Sequence, residues 1–410
     1  MKERKLKKIE TGDQIEGVIE GFKDTKSNVT HMRKDIICEI EKNRGSKVIT
    51  YFTGDRQVAS ARIAEDAVRL LYEQLLSVGP SEKIDLFLYS RGGDVSVPWR
   101  IVSMVREFCD EFSILVPYKA HSAATLISLG ADHIIMGKKA ELSPIDPTLM
   151  KMPQSETAGP PQEISVEDVN SYVSFIKDRA NINDQAALSQ AISLLVNNIS
   201  PLTVGSVNRQ SSHIRLVARK LLTSRLENLD EPKINSIIET LTEKMFSHGH
   251  AIGRREALEI GLPIVLPDEK LEQLVWDLYL EYEKYFNLND PIDPILQLQT
   301  TEVIVLDDIP IAAIESATKS YICKTKIELK KRRQVPQNLQ INLNIGLNLP
   351  PTIKPDQIPP AAQNILQQLI GQVTQFTQQQ VQQEVVRQSP EIGIMARPFG
   401  GQWIGPEEEY

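Results

Sequence analysis

The chain has 410 residues, with 46 Lys and Arg against 54 Asp and Glu, a formal net charge of −8, and 41% apolar side chains. That length exceeds what one hydrophobic core usually fills, so more than one structural unit is expected, and the acidic balance argues against nucleic-acid binding as the main role. Three widely spaced cysteines (Cys38, Cys109, Cys323) with no CxxC pair argue against a disulfide framework or zinc site and fit a cytoplasmic setting, while the absence of an uncharged apolar run of about 18 residues predicts no membrane span.

Residues 1–45 are polar with weak periodicity and read as an N-terminal arm packing on the main body or on a neighbour. The basic clusters at Lys2 to Lys8 and Lys330 to Arg333 read as solvated faces. From Lys47 short β-rich runs alternate with helical ones. A strand at Val48 to Phe52 precedes a helical stretch, Ala59 to Val78, with Ile63, Ala67, Leu70, Leu71 and Leu75 on one face. A strand at Ile84 to Tyr89, the turn Ser90-Arg91-Gly92-Gly93-Asp94 and a helix through Val105 follow; then come a strand at Ser113 to Pro117, a helix starting near Ser122 and a strand at His133 to Met136. Repeated strand-turn-helix units predict an α/β domain with a parallel sheet and reactive groups at its carboxyl edge.

Met152 to Ile164 reads as a mobile loop, and helical patterns dominate from there to about Phe286. This predicts a main domain over 46–290, an extension over 291–335 packing on it, and a Gln/Pro-rich tail over 336–410 poorly suited to a core. The tail carries one amphipathic helix, about 361–387, with an apolar stripe of Ile365, Leu366, Leu369, Ile370, Val373 and Phe376. That helix either docks on the parent domain or serves self-association or partner binding.

Two loops could carry chemistry. Gly92-Gly93 at a strand-to-helix turn can expose backbone amides, because neither residue has a Cβ, and such amides can stabilise an oxyanion. Ser122 stands at the first turn of a helix with Ala123 and Ala124 behind it, where the helix's positive end and the Ala123 amide would favour a developing negative charge. Taken alone, Gly-Gly also suits a structural turn, and serine also suits an ordinary helix cap.

The run from Ile84 through Thr148, with LYSRGGD, AHSAATLISLGADHIIMG and ELSPIDPTL, resembles the serine dehydrogenase proteinase family, relatives of the Clp proteolytic subunit and signal peptide peptidase A. Ser247-His248-Gly249-His250-Ala251-Ile252, followed by Arg255-Glu256-Ala257 and Gly261-Leu262, resembles the closing helix of that superfamily. The resemblance implies a Clp/crotonase-like spiral of ββα units, a serine peptidase acting on polypeptides without a cofactor or metal, and self-assembly. It also implies Ser122 as nucleophile and the amides of Gly93 and Ala123 as oxyanion donors, with Gly92 supporting the turn. Arg91 stands where relatives often carry proline, and Ala123-Ala124 where glycines often follow the nucleophile.

The general base stays open between two candidates. Lys177 borders an apolar helical stripe of Val169, Val173, Ile176 and Ala180, where a desolvated amine could accept the serine proton as in the serine-lysine dyad of the signal peptide peptidase branch. His248, oriented by Asp146, would instead make a permuted triad. His121, adjacent to Ser122, is not expected to act as the base. Two other functions remain compatible with the residues: a scaffold that recruits partners through its tail, and a crotonase-like enzyme acting on acyl thioesters.

Overall fold

The computed structural model describes residues 31–145, 148–151, 162–165, 171–225, 229–245, 247, 249–334 and 358–405. The chain divides into two compact units, one comprising Met1–Pro291, Asp308–Thr325 and Gly401–Tyr410, the other Ile292–Asp307 and Lys326–Gly400.

In the first unit a helix over 31–44 (α1) precedes strand β1 (Lys47–Thr53). Helix α2 (Asp66–Val78), β2 (Ser81–Tyr89), α3 (Val97–Arg106), β3 (Cys109–Val116), β4 (Lys119–Ala120), α4 (Ala123–Leu129), β5 (His133–Met136) and β6 (Glu141–Leu142) follow. Next come the pair β7 (Thr148–Lys151) and β8 (Gln162–Ser165), then β9 (Ile252–Gly253) and β10 (Ile264–Val265). The main sheet runs β10-β5-β3-β2-β1 and continues to β11 (Val303–Ser316) and β12 (Ser320–Arg333). The pairs β1/β2, β2/β3, β3/β5 and β5/β10 are parallel, and β11 joins β1 antiparallel. A small second sheet, β4-β6-β9, stands beside the site described below.

Because the central strands are covered on both faces, they read as unbroken apolar runs rather than alternating ones. On one face α2, α3 and α4 pack with the helices Pro201–Thr223 and Glu231–Glu239. On the other, α1 and the helix Glu269–Phe286 enclose an aromatic cluster in which Phe52 stacks on Tyr89, Tyr282 and Phe286 at centroid distances of 4.3, 4.7 and 5.2 Å.

Several sequence expectations need correction. Residues 31–44, read as part of a polar arm, form a helix whose Arg33, Ile37 and Ile40 are buried. One of its core positions is an arginine, so the apolar period is broken. Arg33 Nε and Nη2 donate to Glu315 at 2.8 and 2.9 Å, and Tyr282 Oη donates to the same carboxylate at 2.6 Å. The helix read over Ala59 to Val78 starts only at Asp66. The end of the loop read over Met152 to Ile164 is strand β8, paired antiparallel with β7, while 152–161 lie outside the described residues.

The second unit holds residues 303–307 and 326–333 of the two long strands, residues 391–400 of β13 (Glu391–Ile404), and the helix Pro360–Gln388. Arg333 ties it together, with Nη2 on Glu302 Oε1 at 2.6 Å and Nη1 on the Ser389 carbonyl at 3.0 Å. β13 corrects the reading of the tail as low complexity around a single helix. Its residues satisfy the open edge of β12 with backbone hydrogen bonds, which a strand gains whatever its side chains. No helix among the described residues is long and apolar enough to cross a membrane.

Candidate active site

Three loops at the carboxyl edge of the parallel strands converge on Ser122. The first follows β2. Ser90 Oγ accepts the Gly92 amide at 3.0 Å and the Thr53 hydroxyl at 2.7 Å, which folds the turn back on itself. Gly92 adopts φ +101°, and a Cβ there would stand 2.7 Å from Ser122 Cβ; at Gly93 a Cβ would meet the Ile63 carbonyl oxygen at 2.1 Å. Glycine is therefore required at both positions, at Gly92 by backbone conformation and by contact with the serine, at Gly93 by the bridge to Ile63.

The second loop carries the serine. The Ser90 amide donates to the Lys119 carbonyl and the His121 amide to the Ser90 carbonyl, both at 2.9 Å, so the two loops are laced together. Ser122 has φ 51° and ψ −111°, a conformation that non-glycine residues rarely adopt, and its side chain makes no capping bond to α4. The ordinary-cap reading of Ser122 therefore fails, and its hydroxyl is not spent on the helix. Ala123 and Ala124 are fully buried, and side chains this small let α4 enter the core directly behind the serine.

The third loop holds the strained residue in place. Ser143, 2% exposed, accepts the Ser122 amide on Oγ at 2.8 Å and donates to the Pro144 carbonyl at 2.9 Å. Thr125 Oγ1 accepts the Ser143 amide at 3.1 Å and donates to the Ala120 carbonyl at 2.7 Å. β6, just before Ser143, pairs parallel with β4 and antiparallel with β9, which brings the segment around Ile252 and Gly253 beside this loop.

These bonds sort the backbone amides. Gly92 is consumed by Ser90 and Ser122 by Ser143. Among the described residues the amides of Gly93 and Ala123 have no acceptor. The arrangement can thus present a hydroxyl and two unspent backbone donors at one end of a buried helix.

The structure brings Gly92, Gly93, Ser122 and Ala123 together. Lys177 lies exposed on a π-helical turn, Phe175–Arg179, beside the buried Ile176, so in this conformation its amine is solvated rather than pressed against the core. Asp146 and His248 lie outside the described residues. His250 pairs with Glu256 at 2.8 Å in a half-exposed position. His121 Nε2 lies 3.1 Å from Glu141 Oε1. Burial pushes the thiols of Cys109 and Cys323 up to about 11, which keeps both protonated at neutral pH and poor as nucleophiles. Ser90, Thr125 and Ser143 escaped the sequence reading, since a hydroxyl that bonds a loop amide has no period or motif to betray it.

The profile of the ClpP-like SDH-type serine proteinases matches residues 22–295. The chain belongs to this family. It is a ClpP-like serine peptidase by membership, and its α/β architecture around a large central sheet is of that kind. An uncharacterized protein of Methanocaldococcus jannaschii is 24% identical over 260 residues, covering 62% of this chain and 79% of its own. A second uncharacterized protein of the same organism is 30% identical over 125 residues, covering 28% of this chain and 42% of its own. Among solved structures, the 1510-N membrane-bound stomatin-specific protease aligns at 16% identity and TM-score 0.29, covering 52% of this chain and 79% of that one. ClpP1 from Listeria monocytogenes aligns at 12% identity and TM-score 0.30, covering 59% and 98%.

Proposed function

We propose that the protein hydrolyses peptide bonds through an acyl-enzyme on Ser122. The observation that carries this is the conformation of Ser122, held at φ 51° with its hydroxyl unused by the helix cap, next to the unspent amides of Gly93 and Ala123. A base takes the Ser122 hydroxyl proton as Oγ attacks the scissile carbonyl carbon. The Gly93 and Ala123 amides hold the resulting oxyanion, and Gly92 keeps the turn close to the serine. The base returns the proton to the leaving amine, leaving an ester on Ser122. Water, deprotonated by the same base, then attacks the ester and releases the carboxylic acid and the free serine.

Lys177 and His248 are the candidates for that base, His248 with Asp146 as its orienting partner. Lys177 would need the turn at 175–179 to move its amine out of water when substrate binds. The substrates are polypeptides met in a cytoplasmic setting, no cofactor or metal takes part, and a homo-oligomer is the form that the family resemblance implies.

The test is labelling of the purified protein by a serine-reactive fluorophosphonate, with mass mapping of the modified peptide, in wild type and in Ser122→Ala, Lys177→Ala and His248→Ala. Modification of Ser122 that disappears in Lys177→Ala and survives in His248→Ala assigns the dyad; the opposite pattern assigns the histidine. A wild-type protein that stays unlabelled where a control hydrolase reacts would sink the acyl-enzyme reading.

A further inference from the structure

The helix Pro360–Gln388 has no buried residue along its length. It carries two neighbouring apolar stripes. One, with Leu366 and Ile370, is half-buried, whereas Ile365, Leu369, Val373 and Phe376 lie open, Phe376 being 63% exposed. A contiguous exposed apolar face of this kind marks an interaction site.

Its spacing says what kind of partner. Ile365, Leu369, Val373, Phe376 and Gln380 follow one another at intervals of four, four, three and four, a single stripe along one side of the helix that can pack against another helix. Its charge says which helix. From Pro360 to Gln383 there is no Asp, Glu, Lys or Arg, in a chain of net charge −8. Coiled-coil helices choose foreign partners by charged flanking residues, and this helix offers none. Two copies of an acidic chain, by contrast, meet with least repulsion where neither carries charge. The flanks are glutamines, whose amides both donate and accept and so can pair with their own kind.

We propose that this face pairs with the same face of a second copy of the chain, a contact made by the second unit and independent of the chemistry at Ser122. Gln380 continues the seam as a polar position that fixes its register.

The full chain tests this. Sedimentation of wild type across micromolar concentrations is compared with Leu369→Glu/Phe376→Glu, with circular dichroism showing that both are folded. The expected result is a fall in mass of at least about two-fold in the variant, since each chain loses one contact of an isologous pair. An unchanged mass, or a wild type already monomeric at the highest concentration, overturns the proposal and leaves the face to a different partner. Val373 lies at the centre of the open stripe, so it meets its own counterpart whether the helices run parallel or antiparallel. Val373→Cys is therefore expected to give a crosslinked dimer with a short bismaleimide, above the wild-type background and above Gln375→Cys on the opposite side of the helix. Equal crosslinking at 373 and 375 would also overturn it.

Discussion

The sheet core of the first unit and the long helix of the second handle apolar surface in opposite ways. In the first, strands β1, β2 and β3 are covered on both faces, and two ion pairs lie against that core, Arg33 with Glu315 buried and Arg44 with Asp85 part-buried. In the second, the helix Pro360–Gln388, the longest among the described residues, is buried nowhere and Leu369 and Phe376 face solvent, as do Ile295, Leu296, Val303 and Val305 of the same unit. The packed core of the first unit is able to hold a residue such as Ser122 in an unfavourable conformation. The open face of the helix is what the proposed self-pairing would cover. Rigidity sufficient for strain requires dense packing all round, whereas association requires a surface left open.

The largest expected effect lies in the first unit. Phe52→Ala removes a fully buried ring stacked on three others and is expected to cost about 3–5 kcal/mol in urea unfolding. Phe376→Ser in the second unit should cost less than about 0.5 kcal/mol in the monomer, where the ring is already wet. Similar values for the two would break the comparison.

Arg33→Met leaves the Glu315 carboxylate buried without its cation, and a loss of about 3–5 kcal/mol at neutral pH is expected. In wild type, burial alone would raise the Glu315 carboxyl, but the bonds from Arg33, Ser320 and Tyr282 outweigh it and hold the group below its usual value. That contribution is present above the unfolded carboxyl value of about 4.3 and is lost as pH falls through the lower folded value. Without Arg33 the folded value rises above the unfolded one and the sign reverses. Arg33→Met should gain stability as pH falls from neutral toward about 4.3, a trend that unfolding midpoints across pH will show or refute.

Ser143→Ala removes the acceptor of the Ser122 amide. Fluorophosphonate labelling of Ser122 should slow roughly tenfold, the equivalent of one hydrogen bond of about 1.4 kcal/mol, with the thermal midpoint lowered only slightly; an unchanged labelling rate would remove Ser143 from a positioning role. The last effect is a gain. Gly371 lies inside the helix Pro360–Gln388 with open space where a Cβ would go, so Gly371→Ala should stabilise that helix by about 0.5–1 kcal/mol, seen as slower amide exchange over 360–388.

Much of the fold was legible because β2, β3 and β5 contain short apolar runs followed by turn residues, Gly92-Gly93, Pro117 and Gly137, signals that depend only on neighbours in the chain. The family resemblance was legible for the same reason, since its motifs are contiguous. Helix α1 was not, because its buried Arg33 makes sense only opposite Glu315, 282 positions away. Nor was β13, whose strand state comes from the open edge of β12 rather than from its own side chains. In the site, the sequence alone singled out Gly92, Gly93, Ser122 and Ala123 as residues able to serve acyl transfer. Only the tertiary structure decided that Ser122 is strained, that its amide and that of Gly92 are taken while those of Gly93 and Ala123 have no acceptor among the described residues, and that Lys177 stands in solvent. Those are matters of which loop lies against which, and a chain acquires them only when distant segments pack.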